Sequence, residues 1–185
     1  MATPRPADPV KFFVAVLFTP RVDWQALRER LTGEWGAIDF EGSDHAFDVT
    51  EYYEPEMGTG LQRRMISFER LVAPESLVDA KLASNEIEKE LVVDVVVGGG
   101  GRSVNLDVGY FDLHKIVLAS GKYDGPKISL GSGIYADVVC RYTEGEFVPS
   151  ERTFPDFSRR LYDDEFLKIR TEYKRQLREW NRAEN

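Results

Sequence analysis

A chain of 185 residues with 42 % hydrophobic and 12 % aromatic residues is long enough for one sizeable core and too apolar to be a disordered tail. Its 32 acidic and 24 basic residues give a formal net charge of -8, which argues against broad phosphate-driven contact with nucleic acid. A single cysteine, Cys140 in the apolar alternation IYADVVC, rules out a disulfide within the chain and reads as a buried thiol. These features make a cytoplasmic protein the default expectation.

In chain order, residues 1–9 hold three prolines and no periodicity and are expected to be a mobile leader, with a single α+β domain over 10–182. Phe12 to Phe18 is a short apolar run followed by Thr19 and Pro20. It falls well short of the roughly 20 apolar residues of a membrane span and reads as a buried strand. Asp23 can cap a helix in which Trp24, Leu27, Leu31 and Trp35 recur at helical spacing before Gly36 stops it. The alternation in FDVTEYYEPEMG predicts a strand ending in a turn, and Arg63 to Val72 is expected to pair back on it.

Pro74 and Ser76 introduce a second helix to about Leu91, striped by Leu77, Ala80, Ile87 and Leu91. One further strand would complete a ferredoxin-like split βαβ unit. The segments SVNLDVGYF, KIVLASGKY, KISL and GIYADVVCRY then extend it as an antiparallel β-meander. Phe157, Leu161, Phe166, Ile169, Tyr173, Leu177 and Trp180 mark a long C-terminal amphipathic helix, broken near Asp163.

The glycine run Gly98 to Gly101 invites comparison with a phosphate cradle. That device needs a helix next, whose N-terminal amides face the anion. A β-branched alternating segment follows instead, so the run reads as a flexible turn. IVLASGKYDG is similar to the guanine-reading Asn/Thr-Lys-x-Asp of GTPases, but Gly121 replaces the Asn/Thr and no phosphate loop lies upstream. It reads as a turn between strands.

The second helix also carries a polar stripe, Lys81, Ser84, Asn85 and Glu88, at the margin of its apolar one. Asn105 and Asp107 share a strand face with Ser103, and Thr50, Glu54, Glu56, Lys115 and Lys122 fall at strand ends. If those ends converge, the lysines with Arg63 would hold an anionic ligand. Alternatively, Glu54, Glu56, Glu88, Asn105 and Asp107 would hold a divalent cation through oxygen. No zinc spacing accompanies His45 and His114, and no nucleophile elbow is present.

The ordered segments TEYYEPEMG, LQRR, SNEIE, RSVNLDVGY, KIVLAS, GIYAD and TFPDF resemble the motifs of a prokaryotic domain-of-unknown-function family, over roughly Lys11 to Tyr173. Some of its members carry an automatic GTP-binding label. The label is not adopted, because the phosphate loop it requires is missing. The family pattern has Asp-Pro-Gly-Tyr where this chain has Asp107-Val108-Gly109-Tyr110, Ser-Thr-Lys where it has Ser120-Gly121-Lys122, and His-Arg-Ile where it has Pro126-Lys127-Ile128, departures that count against a ligand role for the turn after Ser120. The resemblance implies no activity, but it draws attention to Glu54, Glu56, Lys81, Asn85, Glu88, Asn105 and Asp107.

The expectation is a cleft between the second helix and the sheet that takes a polar or anionic small molecule, with a divalent cation as a candidate companion and no other cofactor. Its ligand set is Thr50, Glu54, Glu56, Arg63, Lys81, Asn85, Glu88, Asn105, Asp107 and Lys122. A catalytic version would use Glu56 or Asp107 as general base and Lys81 or Lys122 to steady developing negative charge. The alternative is a non-catalytic interaction or homo-oligomerisation module built on the aromatic C-terminal helix. Neither a nucleic acid nor a membrane is expected as partner.

Overall fold

The computed structural model describes residues 3–93 and 101–183. Its first strand, β1 (Val10–Phe18), is buried at every residue, so neighbouring side chains feed two separate cores. Phe12, Val14, Val16 and Phe18 face one layer, while Phe13 and Ala15 face the other. Asp23 caps α1 (Trp24–Trp35), its carboxylate accepting from the Ala26 amide at 3.0 Å. Gly36, at φ +93°, supplies the turn that ends the helix.

Next come β2 (Ile38–Glu41) and the two-residue β3 (His45–Ala46). The strand expected over FDVTEYYEPEMG does not form. Residues 47–53 run as loop and turn, and Pro55 opens the single-turn helix α2 (Glu54–Met57). The alternation had a different cause: Phe47 and Met57 pack with Leu17 and Leu61 in a small satellite core. The long β4 (Gln62–Val72) pairs antiparallel with β1, β2 and β3. A 3-10 turn over Pro74–Ser76 leads into α3 (Leu77–Glu90).

A short ribbon joins β5 (Val92–Val93) to β6 (Gly101–Arg102). Of the glycine run, residues 98–100 lie outside the described residues. Then follow β7 (Val104–Phe111), β8 (Lys115–Ser120), β9 (Ile128–Gly131), β10 (Ile134–Thr143) and β11 (Glu146–Pro149). The main sheet runs β11-β10-β8-β7-β1-β4-β2, with β3 beside β4 and β9 beside β10. Within it, β7-β1-β4-β2 has the split connectivity expected from the helix and strand order, and the meander continues from β7. The fold is thus α+β with one large antiparallel sheet.

Helices α1 and α3 cover one face through Leu27, Leu31, Leu77, Ala80 and Ile87. The other face is covered by α4 (Pro155–Ser158) and α5 (Asp163–Ala183), with the chain broken between them as the sequence suggests. Phe166, Ile169, Tyr173 and Leu177 are buried, leaving only Leu161 and Trp180 of the expected stripe exposed. The stripe is therefore spent on this chain's own sheet.

A buried polar knot fixes the register of α5. The Lys11 ammonium pairs with Asp39 and donates to Phe68 O at 2.7 Å and to Gln176 Oε1 at 2.9 Å. Gln176 also donates to Asp39 at 2.7 Å. Burial lowers the Lys11 pKa even against its pairing with Asp39. Among the described residues no helix is long and apolar enough to cross a membrane.

Candidate active site: a cleft where two strands part

Pairing between β7 and β8 runs only from Phe111↔Ile116 to Gly109↔Leu118. At Gly109 the strands are pressed together, since a Cβ there would meet Val117 O at 2.3 Å. Beyond it they separate, while β1 stays paired with β7 as far as Val104. The backbone of Leu106 has therefore lost its neighbour on one side, and a buried unpaired peptide group costs free energy.

Helix α3 supplies the replacement. The Leu106 amide donates to Glu88 Oε1 at 2.7 Å, and Lys81 Nζ donates to Leu106 O at 3.0 Å. Seven positions apart on one helix face, these two side chains reach the same residue and stand in for a strand. The two heads are 3.9 Å apart. Lys81, Ser84 and Glu88 are all buried, so most of the polar stripe does structural work at the edge of the gap.

The gap opens into a cleft of about 550 Å³, within the size range of small-molecule sites. It takes lining from both layers: Lys81, Asn85 and Glu88 from α3, and Phe47, Thr50 and Tyr53 from the loop before α2. Asn105 and Asp107 on β7 face it across from Ser120 at the end of β8 and Lys122 just after it, and Phe154 and Asp156 close the far side.

Of the residues expected from sequence, Thr50, Lys81, Asn85, Glu88, Asn105, Asp107 and Lys122 lie in the lining. Glu54 is exposed on α2 and does not line the cleft, and Lys115 pairs instead with Asp112. Glu56 does not line it either, but its carboxylate holds Arg102 by two hydrogen bonds of 2.7 and 2.8 Å. The same guanidinium donates to Glu88 at 2.6 Å and to Asn105 Oδ1 at 3.1 Å. This grip from Arg102 keeps the Glu56 pKa below its ordinary value.

Arg63 is not an anion-holding residue on the wall. Lying on β4 in line with buried Met65, it is fully buried, beneath the cleft. It donates to Asp107 Oδ2 at 2.7 Å and to Ala15 O at 3.0 Å, and its Nε lies 3.2 Å from Asp156 Oδ2. Tyr162 donates to the same Asp156 oxygen at 3.0 Å. Burial would raise the Asp107 pKa, but Arg63 and then Lys81 outweigh it and hold the carboxyl below its usual range. Burial pushes the Tyr53 phenol up, so it stays neutral and serves as wall.

Sequence reasoning missed Arg102, Lys127 and Asp156. Arg102 and Asp156 stand in the motifs RSVNLDVGY and TFPDF without a role, while Lys127 sits in the connection from β8 to β9, and the meeting of all three depends on strand order. His45 lies elsewhere, 3.0 Å from Glu165 and stacked edge-on against Tyr162. Cys140 is buried, its thiol pushed up to about 12 by burial, far from nucleophilic. Among the described residues no group of three or more His, Cys, Asp or Glu side chains is placed to hold a metal ion.

A family model, Domain of unknown function (DUF4416), matches residues 8–173. Neither a curated protein nor a solved structure matches the chain.

Proposed function

Because the chain belongs to the DUF4416 family, whose description assigns no activity, we propose a function from the cleft itself: it binds a polar, anionic small molecule between α3 and the parted strands. The observation that carries this reading is a pair of buried atoms. Asp156 Oδ1 and Asn105 Nδ2 both belong to lining residues and make no hydrogen bond of normal geometry within the chain, although the Asn105 amide lies near the Asp107 carboxylate. A donor and an acceptor left unanswered at the bottom of a roomy cleft are costly unless something enters to meet them.

The electrostatics favour holding over proton transfer. Asp107 and Glu56, the candidate bases, are both kept below their ordinary pKa by guanidinium partners, which makes them weak proton acceptors at neutral pH. Lys81 spends its ammonium on Leu106 O. A divalent cation belongs to this reading only as a companion carried in by the ligand, because the carboxylates of the cleft already face arginine.

The test is a thermal-shift panel of sugar phosphates, nucleotides and dicarboxylates, each with and without magnesium. A ligand at a hundred times its Kd stabilises by about 2.7 kcal/mol. At about 2–4 °C per kcal/mol for a chain of this size, that is about 5–11 °C. The shift should shrink in Asn105→Ala and Asn85→Leu. Binding undiminished in both variants would place the ligand elsewhere and overturn the reading.

A further inference from the structure

Resting on that reading, we infer the chemical class of the ligand: a phosphorylated polyhydroxyl compound, with hydroxyl groups at the floor of the cleft and its phosphoryl group at the rim. Charge is divided unequally between the two levels. Beneath the cleft and beside α3 every guanidinium and ammonium has a carboxylate within ion-pair distance, although Arg63 Nε and Nη2 make no hydrogen bond within the chain. Arg63 lies between Asp107 and Asp156, Arg102 between Glu56 and Glu88, and Lys81 lies beside Glu88. A second full charge placed there would be uncompensated in a buried setting.

What the floor lacks is a neutral partner that can both give and accept a hydrogen bond. Asp156 Oδ1 needs a donor and Asn105 Nδ2 an acceptor, and both residues are more than nine-tenths buried. Hydroxyl groups can meet either need without adding charge, whereas a carboxylate or a fully ionised phosphoryl group cannot donate to Asp156. Beside them Phe47 and Tyr53, with ring centroids 5.8 Å apart, and Phe154 give an aromatic wall against which the C–H face of a sugar ring can lie.

The rim is different. Lys122 forms no ion pair among the described residues; its ammonium rests on the ring and hydroxyl of Tyr52. Lys127 donates to Ser120 Oγ at 3.0 Å, and its nearest carboxylate, Asp137, is 3.7 Å away. The two lysines bracket the turn after β8, because Lys127 Nζ also reaches Lys122 O at 3.4 Å. Lys122 is exposed and pairs with no carboxylate among the described residues, and Lys127, largely buried beside Asp137, adds a second ammonium group on the same side of the cleft, where a phosphoryl group is best received.

Isothermal titration of the full chain with ribose 5-phosphate, glucose 6-phosphate, the matching free sugars, inorganic phosphate, adenosine monophosphate and malonate tests this. The expected result is that at least one sugar phosphate binds ten-fold or more tighter than both its free sugar and inorganic phosphate. Lys122→Ala and Lys127→Ala should each remove most of that advantage, lowering the affinity for the sugar phosphate much more than that for the free sugar, whereas Asn105→Ala should weaken sugar and sugar phosphate alike. The advantage should also fall in 0.5 M salt.

Equal affinity for a sugar and its phosphate, or an advantage that survives both lysine variants, overturns the assignment of the rim. Tight binding of malonate that is lost in Asn105→Ala, with neither a sugar phosphate nor adenosine monophosphate bound, overturns the ligand class but leaves the cleft reading standing. Silence across the titrations and the broader thermal panel overturns both.

Discussion

Replacing Arg63 by methionine removes the charge shared by two buried carboxylates, leaving Asp107 the more weakly acting Lys81 and Asp156 the Tyr162 hydroxyl. Arg63 is fully buried, with side-chain exposure of 13 % at Asp107 and 1 % at Asp156. Breaking a buried pair from one side typically costs about 3–5 kcal/mol, because a buried charge is left uncompensated. For a chain of this size that corresponds to a Tm lower by about 6–20 °C. Methionine keeps most of the aliphatic stem, so little of the loss comes from packing.

The pH dependence identifies the cause. In the native chain the Asp107 pKa lies below its unfolded value. Its contribution is therefore present above the unfolded pKa of about 3.9 and is lost as pH falls through the folded value. In Arg63→Met burial becomes the dominant influence, and the folded pKa should rise above the unfolded one. That variant then binds more protons folded than unfolded, and gains stability as pH falls from neutral. Urea unfolding followed by tryptophan fluorescence at about pH 7.5 and pH 4.5 should show a gap that narrows on acidification. Adding Asp107→Asn and Asp156→Asn should restore much of the loss. A gap equal at both pH values, untouched by the asparagines, would refute the argument.

Two further outcomes follow from the packing. Lys81→Met and Glu88→Gln should each cost about 1–3 kcal/mol by weakening the support of Leu106. Because they serve one residue, the double variant should lose less than the sum, and hydrogen exchange at the Leu106 amide should quicken in Glu88→Gln. On α5, Ile169→Ala should cost about 2–5 kcal/mol while Trp180→Ala changes stability by about 0.5 kcal/mol or less. Truncation before Arg170 should unfold the domain in a urea or thermal melt.

Elements with long, single-period patterns were legible from sequence. In α1, Asp23 and Gly36 mark both ends, and in α5 the spacing from Phe166 to Leu177 points at one face. Segment 47–54 misled because Phe47, Val49 and Tyr53 are apolar for the sake of a loop packed on Leu17, and that packing happens to imitate strand alternation. Strands β2 and β11 are four residues each, too short for a period to register.

In the cleft, the stripe of Lys81, Asn85 and Glu88 could be seen because helical spacing is local. Its main task could not, since Leu106 needs outside help only when β8 diverges, and divergence is a property of two strands. Arg63 shows the same limit: an arginine in an alternating strand looks like a solvent-facing cation until Asp156, from far along the chain, is folded against it.

The parting of β7 from β8 leaves β7 without a strand neighbour at Leu106, and an open strand edge is the kind of surface that an extended peptide or another copy's strand would normally zip onto. The arms of Lys81 and Glu88 already occupy that ladder position at Leu106. The opening is thus screened chemically: backbone-to-backbone adhesion is blocked there, and a guest must be recognised through its own functional groups. A hollow so guarded can stay accessible without becoming a seed for aggregation.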